Sequence, residues 1–222
     1  MRTNDLIGTL SQGAKPVRPL RSPVKRVLFW LAISLIYAVL VVAMKSPRPD
    51  LIGKLAEQRF TIEVVAAFLT AILSAVSAFS SGIPGRPIWE RFLPLPPLVV
   101  WLASLGEGCL QSWLRLGTPA PGFTTEFMCI PNVMVAGLAP GIVMLWMIRK
   151  SAPISPILTT ALATLAASAF GAAVLRLYHT EDASLMVLVW QFGAVALFTA
   201  LGALVGRRWL YWRSTSPKTL LM

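Results

Sequence analysis

Apolar residues along this chain come in long blocks, not in alternation with polar ones. Six stretches contain no Asp, Glu, Lys or Arg: Val27–Met44, Val64–Gly85, Phe92–Gly106, Phe127–Ile148, Ser151–Leu175 and Ala183–Gly206. Five of them reach 18 residues or more, the length at which a helix crosses the hydrocarbon core of a bilayer. The third is interrupted by Glu107 alone and resumes through Trp113, so it also suffices with that carboxyl near an interface. Each block is apolar on all sides, and none shows the period-2 alternation of a barrel strand. The pattern predicts an all-α fold: a polytopic integral membrane bundle of six transmembrane helices.

Composition agrees, and charge adds orientation. Of 222 residues 56% are hydrophobic and only 13% charged, with a mean hydropathy of +0.70. The net charge of +11 would suit a nucleic-acid binder in a soluble chain. Mapped onto the blocks, however, the cations sort by side. Arg2, Lys15, Arg18, Arg21, Lys25, Arg26, Arg86, Arg91, Arg149, Lys150, Arg207, Arg208, Arg213 and Lys218 fall in alternate segments, together with only two acidic residues, Asp5 and Glu90. The positive-inside rule then places both termini in the cytoplasm. The basicity serves topology and contact with anionic lipid headgroups, and predicts no direct nucleic-acid partner. Trp89, Trp113, Trp146, Trp209 and Trp212 sit at the block ends, where amphipathic rings anchor spans. Six cations precede the first block and no small-residue cleavage site follows it, so a removable signal peptide is not expected.

Three parts result: a cytoplasmic segment 1–26, a transmembrane domain 27–206 and a short basic tail 207–222. Within the first, Thr3 or Asn4 can cap a short helix that carries Leu6, Ile7 and Leu10 on one face and stops before Gly13 and Pro16. Such a helix is too short to be stable alone in water, and its apolar face needs a surface. That surface is either the headgroup region of the membrane or a groove on a cytoplasmic partner.

The polar chemistry faces the other way. Cys109, Cys129 and His179 all fall at or beside the outward segments. Pro131 suits a first helical position, which puts Cys129 one or two residues before the fourth helix, with the positive end of the helix dipole toward its thiol. A thiol so placed is a candidate for oxidation or soft-metal capture, and His179 with Glu181 and Asp182 is a candidate partner cluster for a divalent cation. Cys109 lies on the same side, near the end of the third helix. Two cysteines and one histidine make a thiolate zinc site or a Ser-His-Asp triad unpromising. No phosphate loop, H-E-x-x-H pair or G-x-S-x-G elbow occurs. Neither a catalytic group nor a resident cofactor is expected. A small six-helix transporter or channel is the alternative function, with Glu107 as its test residue.

Several short motifs occur in order over nearly the whole chain: Asp5-Leu6-Ile7, Pro16-Val17-Arg18-Pro19-Leu20, Arg48-Pro49-Asp50-Leu51 with Arg59-Phe60, Cys129-Ile130-Pro131, and Thr180-Glu181-Asp182 followed by Val189-Trp190. Together they resemble the NrsF family of six-helix membrane anti-sigma factors. The resemblance implies an inner-membrane protein that holds an extracytoplasmic-function sigma factor inactive until an envelope stress, oxidative or heavy-metal, arrives. It implies that the N-terminal segment binds the sigma factor, through Asp5, Leu6, Ile7, Leu10, Val17 and Arg18. It implies outward sensing cysteines at two positions. Cys129 matches the first, whereas His179 stands at the second, so that Cys109 substitutes or Cys129 acts alone.

Overall fold

Proline opens two of the long helices, because at a first helical position its missing N–H costs nothing and its fixed φ is already helical. These are α2 (Pro23–Lys45) and α7 (Pro156–Tyr178). The computed structural model describes residues 3–12, 22–83, 85–116, 129–149, 155–179 and 193–209. Its other elements are α1 (Thr3–Gln12), α3 (Leu51–Ala56), α4 (Gln58–Ser80), a 3-10 helix (Ile88–Phe92), α5 (Leu95–Leu116), α6 (Cys129–Arg149) and α8 (Gly193–Trp209). Among the described residues there is no strand. Among the described residues three helices, α2, α4 and α7, are long and apolar enough to cross a membrane, with mean hydropathies of 2.7, 2.1 and 1.8. At 23 residues each they extend about 35 Å, slightly more than the hydrocarbon core. The remaining apolar blocks coincide with α5, α6 and α8.

Side-chain polarity in α2 is the inverse of a soluble helix. Its buried face, Arg26, Val27, Trp30, Ser34, Ala38 and Val41, includes a charge and a hydroxyl. Between Lys25 and Lys45 its exposed residues are all apolar, among them Leu28, Phe29, Leu35, Ile36, Val39 and Leu40. In α4 the hydroxyls of Thr70, Ser74 and Ser77 point inward while Val65 and Leu69 face out. A continuous exposed apolar surface of this kind fits a lipid solvent and not water.

The hub is α7, which packs on α4, α6 and α8, while α2 packs on α4 and α6. Small residues let the backbones approach, as the fifth apolar block predicts: Ala163, Ala166, Ala167, Ser168, Gly171 and Ala172 are all buried, and Ala161 half-buried. Larger side chains fill the space beside them. Phe170 meets Trp30 and Phe68 edge-to-face, with ring centroids 5.9 and 5.5 Å apart. A Cβ added at Gly137 of α6 would lie 2.9 Å from the Ala167 carbonyl oxygen, whereas one at Gly141 would meet the Ala167 Cβ at an ordinary 3.5 Å. Gly137→Ala is therefore expected to force α6 off α7 and cost about 1–3 kcal/mol. Thermal unfolding in detergent, with Gly141→Ala as the tolerated control, reads this directly; equal behaviour of the two variants would remove the close-approach explanation.

Candidate regulatory sites at the two poles

Cross-helix bonds show that α2 and α7 run in one direction and α4 and α6 in the other. At one pole, Arg26 at the start of α2 donates from Nη2 to the Met147 carbonyl near the end of α6, at 2.8 Å. Its guanidinium also lies 4.3 Å from the centre of the Phe79 ring. At the same pole the Ser81 and Thr159 hydroxyls, from the end of α4 and the start of α7, are 2.8 Å apart. Arg86 pairs there with Glu90 at 2.9 Å, and Ser77 Oγ donates to the Glu90 carbonyl at 2.6 Å, which ties the 3-10 helix to α4.

The N-terminal segment joins the chain at this pole. Its helix α1 ends at Gln12, directly before Gly13, as the sequence predicts. Among the described residues α1 has no extended packing on any other helix. Asp5 lies in its first turn and is exposed, and Ile7 is 59% exposed. Leu6 and Leu10 lie on the helix, but their side chains fall outside the described residues, as do Val17 and Arg18 altogether.

The opposite pole holds the densest charge cluster. Glu63, in the second turn of α4, and Arg176, in the last turn of α7, pair across 113 positions of sequence: Nε to Oε1 is 2.9 Å, and Nη2 donates to Oε2 at 3.3 Å. Their side chains are 1% and 5% exposed. Arg48, between α2 and α3, donates from Nε and Nη2 to the two Asp50 carboxylate oxygens, both at 2.7 Å. Its backbone N–H meets the Leu177 carbonyl at 3.1 Å, fastening the end of α2 to the end of α7. Both guanidiniums lie against the Phe60 ring, that of Arg48 at 5.5 Å from its centre and that of Arg176 at 5.2 Å. The bonds from Arg48 hold the Asp50 carboxyl below its usual range. Because the folded value is the lower one, this contact stabilises the corner above the ordinary carboxylate range and is lost only as pH falls through the depressed value.

The candidate sensing residues collect around this pole by backbone position. The sequence expectation put Cys129 just outside the fourth helix; instead α6 begins at Cys129 itself, and Pro131 is its third residue. Proline is tolerated throughout a first turn, whose N–H groups have no partner in the helix, so Pro131 does not fix the start to one residue. The Cys129 and Cys109 side chains lie outside the described residues. Cys109 is in the second half of α5. His179 follows α7 directly, half-buried, its backbone N–H donating to the Leu175 carbonyl at 2.9 Å. The Tyr178 hydroxyl contacts the Asn132 carbonyl at 3.4 Å, which sets the His179 end of α7 beside the head of α6. Glu181 and Asp182 lie outside the described residues. Among those described, no group of three His, Cys, Asp or Glu side chains is arranged to hold a metal ion. Glu107 is exposed on α5 and accepts from Gln111 Nε2 at 3.0 Å, one turn away.

Sequence reasoning gave Glu63 and Arg176 no role. The available signal was positional: each borders an apolar block, Glu63 before the second and Arg176 after the fifth, at ends that antiparallel helices bring to the same level.

No curated protein and no solved structure matches the chain. The family model described as NrsF, negative regulator of sigma F, matches residues 10–212. Spanning nearly the whole chain, that match shows that the protein belongs to the NrsF family, negative regulators of a sigma factor.

Proposed function

We propose that the chain is a six-span protein of the bacterial inner membrane, both termini cytoplasmic, that sequesters an extracytoplasmic-function sigma factor. Family membership makes a sigma factor the partner. Segment 1–26 binds it, with Asp5, Leu6, Ile7, Leu10, Val17 and Arg18 as the contact residues. Domain 27–206 anchors that segment and receives the signal, and tail 207–222 adds basic contact with the inner leaflet. Oxidation or metal capture at outward-facing Cys129, with His179 and Cys109 nearby, triggers release. A regulator of this kind acts by sequestration and needs no catalytic group.

The observation that carries the reading is α1: an amphipathic helix near the chain start, with Ile7 exposed and, among the described residues, no extended packing on the bundle. An exposed apolar position on such a helix suits a groove on a partner, with anchors spaced by one helical turn. The test is co-purification of the sigma factor with the tagged membrane protein. Removing residues 1–20 is expected to abolish capture, and undiminished capture would overturn the peptide model. Cys129→Ser is expected to leave capture intact while abolishing the stress response; a normal response in that variant would rule out the thiol as sensor.

A further inference from the structure

Three side chains on one face of α2 donate hydrogen bonds to three carbonyls of α6. Arg26 Nη2 reaches Met147 at 2.8 Å, Trp30 Nε1 reaches Pro140 at 2.9 Å, and the Tyr37 hydroxyl reaches Val135 at 2.7 Å. The donors climb α2 as the acceptors descend α6, as antiparallel helices require. At about 1.5 Å per residue, Arg26 to Tyr37 covers roughly 16 Å and Met147 to Val135 roughly 18 Å, so the two sets of rungs stay in step. Positions 26, 30 and 37 fall within about 40° of one another around the helix, which makes the contact a ladder and not a set of scattered bonds. The acceptors remain available because the Val135 and Pro140 carbonyls have a second lone pair beyond the intrahelical bond, while Met147 is among the last residues of α6, whose carbonyls have no intrahelical donor. Two of the donors are fully or nearly buried, Trp30 and Arg26.

We infer that this ladder is the mechanical link between the outward pole and the N-terminal segment, with Arg26, Trp30 and Tyr37 as positioning residues. The inference rests on the proposed function for its two endpoints: Cys129 heads α6 less than two turns beyond Val135, and α2 begins at Pro23, one turn before Arg26 and within the end of the N-terminal segment 1–26. Displacing α6 along or about its axis moves three acceptors together. In an apolar surrounding no water replaces a broken rung, so α2 follows α6 more cheaply than it lets go. A change made at the head of α6 then arrives at the start of α2 without passing through the loops. The coupling is carried by an element whose two ends can be perturbed and read separately.

The experiment uses the full chain with Cys109→Ser, reconstituted in vesicles of phosphatidylethanolamine and phosphatidylglycerol. Cys129 is modified by N-ethylmaleimide, its thiolate sulfur adding across the maleimide double bond and the neighbouring carbon taking up a proton. Cys129→Trp imposes comparable bulk genetically, so the test does not depend on thiol reactivity. Hydrogen exchange of the α2 amides over residues 23–30 is the readout. In the parent chain either perturbation is expected to change exchange there by at least about threefold. Tyr37→Phe, which removes only a hydroxyl, is expected to halve that response or better, and Tyr37→Phe with Trp30→Phe to abolish it. An undiminished response in both variants would overturn the ladder, as would no response in the parent to either perturbation. Because no sigma factor is present, an exchange response in a chain that fails to capture one supports the ladder while refuting the role of α1.

Discussion

Glu63→Ala is expected to destabilise the bundle by about 3–5 kcal/mol, the usual cost of removing one partner from a buried ion pair. For a chain of this length that corresponds to a fall of roughly 6–20 °C in the unfolding midpoint in detergent. The reason is the burial of what remains. Arg176 is 4% exposed and is held at the end of α7 between Phe60 and Glu63, so its guanidinium cannot turn to solvent without unseating the helix end. The same loss would free the neighbouring Arg48–Leu177 backbone contact, since both depend on where the last turn of α7 sits. The double variant Glu63→Leu with Arg176→Leu separates charge from shape. It removes both ions and fills their volume, and is expected to recover most of the lost stability. A single variant as stable as the parent would mean that the cluster is reached by water, contrary to its burial.

Ile7→Asp with Leu10→Asp is expected to weaken sigma-factor capture at least about 100-fold while leaving the unfolding midpoint unchanged. Each apolar anchor contributes about 1.5–3 kcal/mol on burial, and two of them account for two or more decades of affinity. The absence of a stability effect follows from α1 having no extended packing on the bundle among the described residues. Measuring capture and melting on the same preparation distinguishes a docking peptide from a structural one. Loss of both together would show that α1 belongs to the fold, and retention of both would show that the partner binds elsewhere.

Hydrophobic blocks made the helices legible, but charge proved a poor marker of where they end. The first block begins at Val27, yet α2 begins at Pro23, because Arg26 turns inward to the Met147 carbonyl and the Phe79 ring. The second block begins at Val64, yet α4 begins at Gln58, because Glu63 is neutralised by a partner that no local window contains. Glu107 likewise sits inside α5 with Gln111 as its neighbour one turn on. In each case a polar side chain finds its partner on another helix or another turn, and only the assembled bundle reveals it. The small α3 and the 3-10 helix escaped for a different reason: at six and five residues they are shorter than any periodicity can register. The α7 alanines were readable because close approach demands small side chains whatever the partner. Of the candidate sites, the short helix α1 and its end before Gly13 were readable from local pattern, whereas Cys129 lies inside the start of α6 and not before it. The Arg48–Phe60–Arg176 stack was not, since it joins three distant segments.

The inverted polarity of α2 separates two kinds of information that soluble proteins usually mix. Contacts that specify its neighbours lie on one side: the Arg26 and Trp30 donors, and Ser34 and Ala38 where helices approach. The other side, Leu28, Phe29, Leu35, Ile36, Val39 and Leu40, is largely open to what surrounds the molecule. Those six positions can therefore be rewritten for a different solvent without editing the instructions for assembly. A form of this bundle that dissolves in water would be sought there first, and it would carry its regulatory joints with it.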